Sequence, residues 1–209
     1  MTLINLFLRA RHWHLFALTF GITMVFQFVI MAQMFSGFAY GSEPDLDGIL
    51  TVFQIIPWIS FFYLAIMFGW YWSVAIGLQA KLPKNANMKT GKFKWFFFVP
   101  LIYLMAFTIF MSVGLTTIFR SLEQGNEPDP GFIIGMIPVI MPLHLFSIFC
   151  VFYCLYFVAK TIKTAELQRE TAFSDFVGEF FLIWFFPIGI WFIQPKVNQL
   201  ADSNTDFMS

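Results

Sequence analysis

The chain has 209 residues, of which 59% are apolar, 21% aromatic and only 11% charged, and its mean hydropathy is +0.75. That leaves too little polar surface to coat a water-soluble globule, so hydrocarbon is the expected solvent for a single membrane domain covering 1–209. A formal net charge of zero supplies no basic face to neutralise phosphates, which argues against a nucleic-acid partner.

The first thirteen residues, within MTLINLFLRARHWH, mix Leu, Ile and Phe with Arg9 and Arg11. This is the pattern of an interfacial segment about to enter a bilayer, with Trp13 as a headgroup-level anchor. A membrane-spanning helix takes roughly 20 apolar residues. Five segments are candidates: His14 to Phe38, Ile49 to Gln79, Trp95 to Phe119, Phe132 to Lys160 and Phe180 to Gln194. The expected fold class is therefore all-α, a polytopic transmembrane helical bundle with five spans. The first run is too long for the apolar region of a signal peptide and no A-x-A site follows it, so this helix is expected to be retained.

The second and fourth segments exceed what the hydrocarbon requires and should tilt or bend, with Pro57, Pro138 and Pro142 as the bending points. Between 164 and 179 the sequence alternates charges with Ala165, Leu167, Phe173 and Phe176, which suits an amphipathic surface helix. A new helix is expected to start near Ser174, with Asp175 and Glu179 spaced i, i+4 at the entry of the fifth segment. That segment, 180–194, is short and carries Pro187 and Gly189. It can cross with local thinning or enter and leave on one side, and the crossing is the expectation; 195–209 then forms a polar tail.

Charge sets the orientation. Arg9, Arg11, Lys81, Lys84, Lys89, Lys92, Lys94, Lys160, Lys163 and Arg169 fall on one side of five spans, and only Arg120 and Lys196 on the other. The positive-inside rule then puts the N-terminus in the cytoplasm and, after an odd number of crossings, the C-terminus in the periplasm.

Residues 41–75 align without gaps on 125–159, with identities at Gly41/Gly125, Glu43/Glu127, Pro44/Pro128, Asp45/Asp129, Ile49/Ile133, Ile56/Ile140, Phe62/Phe146, Phe68/Phe152, Val74/Val158 and Ala75/Ala159. The shared polar G-x-E-P-D does not follow from hydrophobic bias. It predicts a tandem hairpin repeat, 14–79 and 92–160, whose copies run parallel because two crossings separate them. At the start of each second helix, Gly and Asn permit a turn, Pro fits the first helical positions and the carboxylates complement the dipole. A functional alternative pools Glu43, Asp45, Asp47, Glu127 and Asp129 into an outer cation site.

Ionisable groups inside a membrane mark transport or relay, and His144 is the sole candidate near mid-depth. Met141 precedes it by one turn, and Cys150 and Cys154 follow at i, i+4 of each other, donors that suit Cu(I) or a haem iron. Cys150, however, points to another face, and a bis-His haem needs a second His at this depth, so no cofactor or metal is expected. The structural expectation is a hydrogen bond from His144 to a neighbouring helix, for example to Gln27 or Ser112. Gly131 with Gly135, and Ala17 with Gly21, provide small-xxx-small spacing for close helix contact, within the bundle or between subunits, the former being the expectation. No H-E-x-x-H, G-x-S-x-G, Walker loop or C-x-x-C is present.

The ending EFFLIWFFPIGIWFIQPKVNQL, 179–200, resembles the C-terminal segment of a group of small polytopic membrane proteins from Bacteroidota; elsewhere the agreement is only in length and hydropathy. The resemblance implies a bacterial inner membrane and nothing about chemistry. Without a buried carboxylate or an active-site motif, the expected function is non-enzymatic: a subunit or scaffold of a membrane complex, with lipids and other membrane subunits as partners. The alternative is a small facilitator, channel or lipid-handling transporter with a path between the two repeats, lined by Gln27, Gln54 and His144.

Overall fold

In a solvent that offers no hydrogen bonds, a backbone must satisfy itself, and the helix is the local solution. The computed structural model describes residues 2–39, 46–86, 88–125 and 130–203, and among them it holds helices and no strand. A short α1 (Leu3–Leu8) is followed by α2 (His12–Phe16), which runs through a π turn (Ala17–Gly21) into α3 (Ile22–Ala39). Then come α4 (Leu46–Gly77), α5 (Thr90–Glu123), α6 (Pro130–Leu167), α7 (Phe173–Trp184) and α8 (Phe186–Asp202). In the π turn the hydroxyl of Thr19 donates to the Leu15 carbonyl at 2.7 Å, and Thr23 donates to Thr19 at 2.6 Å. Such back-bonding satisfies carbonyls that a widened turn leaves off the regular ladder.

Four helical stretches among the described residues are long and apolar enough to cross a membrane: His12–Ala32, Gln54–Lys81, Thr90–Leu122 and Gly135–Leu167. At 1.5 Å per residue α5 and α6 reach about 51 and 57 Å, so both continue past a hydrocarbon layer of about 30 Å. Ring contacts pair Phe68 with Phe97 and Trp72 with Phe93, and then Phe93 with Phe157 and Phe96 with Tyr153. Each series descends on one helix as it rises on the next. Hence α5 is antiparallel to both neighbours, and α4 runs parallel to α6.

The segment expected as a fifth crossing is not one helix. It breaks at Phe185 and reverses, so that α7 and α8 form an antiparallel hairpin. Two residues cause the reversal. Pro187 has no N–H for the Ile183 carbonyl, which stops the ladder. Gly189 lies against the backbone of Leu182, and any Cβ there would collide with the Leu182 carbonyl oxygen. A twelve-residue α7 covers only about 18 Å, well short of the hydrocarbon thickness. The hairpin therefore returns α8 to the end it left, and Asp202 pairs with Arg9 at 3.3 Å.

Burial is one-ended. Phe7, Leu8 and Leu15, the stretch Met67 to Leu78, Phe93 and Phe97, much of Cys150 to Ala165, and the inner faces of α7 and α8 make up the core. No described side chain from Phe20 to Ile66 or from Leu101 to Phe146 is buried. Within the chain, Gly135 and Gly21 make no close helix contact: a Cβ on Gly135 would meet nothing within 4 Å, and one on Gly21 would meet only Ala17 of its own helix. Close approach occurs instead at Gly69 and Gly77, where a Cβ would come within 2.8 Å of the Phe7 ring and 2.6 Å of Ile4. These two glycines let α1 lie flat across α4.

Candidate functional site

Two polar clusters fasten the packed end. The first is a square of alternating charge on α6, α7 and α8. Lys163 Nζ lies 3.0 Å from Glu166 and 3.2 Å from Glu179, and Lys196 Nζ lies 3.0 Å from Glu166 and 2.9 Å from Glu179. Glu179 is buried. Burial opposes its ionisation, but the ammonium of Lys196, helped by a backbone N–H and by Lys163, prevails and holds the carboxyl below its ordinary range. Beside the square, the guanidinium of Arg169 makes a two-pronged bond to Asp175 at 3.0 and 3.1 Å, and Asp175 also accepts from the Ala172 N–H at 3.0 Å. The Arg169 bond, then the backbone N–H, lower the Asp175 carboxyl. Helix α7 starts at Phe173, one residue ahead of the expected Ser174, with Asp175 closing its first turn. Glu179 thus fastens α7 to α6 and α8, and Asp175 fastens the start of α7 to the turn that precedes it.

The second cluster is built on Gln194, fully buried on α8. Its Oε1 accepts from Trp70 Nε1 at 2.7 Å, and its Nε2 lies 2.9 and 3.0 Å from the carbonyls of Phe7 and Ala10. Asn198 adds a donor to Ala10 at 3.1 Å. At the end of α1 the Phe7 carbonyl takes the Ala10 N–H at 3.3 Å, and these amides add a second bond to it and hold the Ala10 carbonyl.

At the other end lies an apolar groove of about 800 Å³ between the outer halves of α5 and α6. Phe107, Phe110, Gly114 and Ile118 line it from α5, and Met136, Ile140 and Met141 from α6. At its inner end the phenol of Tyr103 is 3.1 Å from His144 Nδ1, and the imidazole rests against the Phe107 ring.

His144 is therefore bonded to a neighbouring helix, as expected, but through Tyr103 and not Gln27 or Ser112. Gln27 and Gln54 are exposed on the apolar surface, and the groove lies within the second hairpin. Neither Gln27 nor Gln54 lines that groove. Met141 is exposed on the groove wall, while Cys150 and Cys154 are free and buried, the latter donating to the Phe96 carbonyl. Among the described residues no three His, Cys, Asp or Glu side chains converge as a metal site would require. Glu43, Asp45, Glu127 and Asp129 lie outside the described residues. Of the motif that carries them, Gly125 is seen at φ +72°, ending α5 in the left-handed conformation that glycine allows.

Sequence reasoning missed Tyr103, Lys163, Glu166 and Gln194. A hairpin turning near residue 124 places position 103 opposite 144, which is a usable signal. Gln194, a lone amide amid aromatics, carried another. No family model, curated protein or solved structure matches the chain.

Proposed function

We propose that this multi-pass protein is a non-enzymatic subunit or scaffold of a complex in a bacterial inner membrane. The observation that carries the reading is the one-ended core. Four helices are cemented together at the N-terminal end, while their other halves present apolar side chains without mutual burial, including Trp58 at 74% and Ile102 at 65% exposure. A chain that needed only to span could pack along its whole length. Bare helices on a rigid foot suit insertion between other membrane helices, where van der Waals contact and not hydrophobic transfer holds the assembly.

The orientation we assign is N-terminus inside. Returning α8 to the N-terminal end moves Lys196 to that side, so that of twelve Lys and Arg only Arg120 stands at the far end. Eleven to one is a stronger asymmetry than the sequence count of ten to two. Shared environments also support the duplication: Val74 and Val158, and Ala75 and Ala159, are fully buried, whereas Phe62 and Phe146 are both exposed.

A photo-crosslinking amino acid at Ile102 or Trp58, activated in native membranes, tests the assembly reading. Adducts to another polypeptide, together with a particle heavier than the 24.3 kDa chain after extraction in mild detergent, are expected. A bare monomer that crosslinks only to lipid overturns it.

A further inference from the structure

No Asp or Glu occurs between Asp47 and Glu123, while Lys81, Lys84, Lys89, Lys92 and Lys94 all fall in that interval. Other cations of the packed end are answered within the chain: Arg9 by Asp202, Arg169 by Asp175, and Lys163 and Lys196 by Glu166 and Glu179. Lys89, Lys92 and Lys94, at the start of α5, are exposed, and none of them is in an ion pair among the described residues. The first turn of α5 thus carries charge without a counterion.

The buried side of the helix decides where these lysines stand. Phe93 and Phe97, one turn apart, face the core. At about 100° per residue, Lys92 and Lys94 leave the helix on the two flanks of Phe93 and bracket the opposite, lipid-facing stripe. On that stripe lie Gly91, Trp95 and Phe98, the indole 77% and the phenyl 46% exposed. Gly91 is exposed too, and a Cβ there would meet nothing within 4 Å. The result is an open notch one turn outward of the Trp95 ring, with a lysine on each side and apolar surface beneath. Lys94 is steadied by the Trp72 ring, whose centroid lies 6.0 Å from its Nζ.

We infer that this notch holds the head of one anionic phospholipid, its phosphate between the Lys92 and Lys94 ammoniums over Gly91, its ester region against Trp95 and its chains starting along Phe98. The order of groups down the stripe, cation, amphipathic ring and hydrocarbon-facing phenyl, matches the order of groups down such a lipid. Net charge makes the selection. A zwitterionic head would bring an ammonium of its own beside two others, whereas a phosphatidylglycerol head brings only the opposite sign. A soluble anion would answer the lysines but leave Trp95 and Phe98 uncovered. The inference rests on the membrane-spanning reading and not on assembly, because every contact lies within one chain.

Native mass spectrometry of the full chain in detergent, titrated with dioleoyl-phosphatidylglycerol or dioleoyl-phosphatidylcholine, tests it. The phosphatidylglycerol adduct is expected at about tenfold lower lipid concentration, and the preference should shrink as ammonium acetate is raised. Lys92→Gln with Lys94→Gln should abolish the preference, Lys92→Arg with Lys94→Arg should keep it, and Trp95→Ala should weaken both lipids together. Arg120→Gln, at the far end of the same helix, removes a charge elsewhere and should change nothing. All four positions are exposed, so the substitutions leave the core untouched. Equal adducts of the two lipids, a preference that survives the Gln pair or is lost in Arg120→Gln, or displacement of the lipid by excess inorganic phosphate each overturns the proposal.

Discussion

Gln194 and Trp70, 124 residues apart and both without exposed surface, share a hydrogen bond of 2.7 Å from the indole N–H to the amide oxygen. The same amide's nitrogen caps α1, so one side chain joins the first helix, the first long span and the last helix. Replacing it with Leu, of similar volume, strands the indole N–H in an apolar interior, while the Phe7 carbonyl keeps the Ala10 N–H and the Ala10 carbonyl keeps Asn198. At roughly 1–3 kcal/mol for one stranded group, a loss of about 1–3 kcal/mol is expected in unfolding followed by tryptophan fluorescence. Trp70→Phe should cost less, and the double variant less than the sum. Strict additivity in that cycle would show that the bond contributes nothing.

The charge square has a definite pH signature. Glu179 is depressed in the folded state, so its contribution is complete above the unfolded carboxylate value of about 4.3 and is lost as pH falls through the lower folded value. Glu179→Gln leaves two ammoniums facing Glu166 alone. With the lysines 20% and 29% exposed, screening reduces the cost below that of a fully buried pair, to about 1–3 kcal/mol. The gap in melting temperature between parent and variant should be wide at pH 7 and close on titration below pH 4. A gap that persists unchanged in acid would mean that packing, not charge, is what the substitution disturbs.

How much of this was legible beforehand depends on the physics of each feature. The four long spans were, because length and hydropathy alone define them. The reversal at Phe185 was legible only as the alternative to a crossing: hydropathy has no direction, and a short hairpin in an apolar medium reads like a crossing. Pro187 and Gly189 were visible as irregularities, but the contact of Gly189 with Leu182 is a tertiary fact. The pairing of Lys196 with Glu179, only seventeen residues away, was hidden for the same reason. Helix facing was equally hidden. In water the polar stripe marks the outer face, whereas in lipid every face is apolar, so nothing told Gln27 and Gln54 apart from interior residues.

Gly189 offers a steric test within a single hairpin. Substitution by Ala drives a methyl group into the Leu182 backbone, which no rotamer change relieves, and a loss of about 3 kcal/mol or more is expected. Gly178, on α7 of the same hairpin, has nothing within 4 Å of a built Cβ, and Gly178→Ala should be neutral or gain a few tenths of a kcal/mol from helix propensity. Detergent melting curves of the two variants, side by side, give the comparison. Equal stabilities would place α8 farther from α7 than the structure has it.

The hairpin carries a prediction about the two faces of the membrane. Because α8 returns to the packed end, a cysteine at exposed Ser203 should label from the same side as one at exposed Lys84, and from the opposite side to one at exposed Gln124. Cys150 and Cys154 are buried and give little background, and replacing both with Ala removes it. In right-side-out and inverted vesicles, a membrane-impermeant maleimide should therefore modify positions 84 and 203 together. A single crossing by 180–194 would instead pair 203 with 124. That outcome would return Lys196 to the outer face and separate it from Glu179, dissolving the charge square and the Gln194 clasp in one step. The same gels thus test both the topology and the two polar clusters that depend on it.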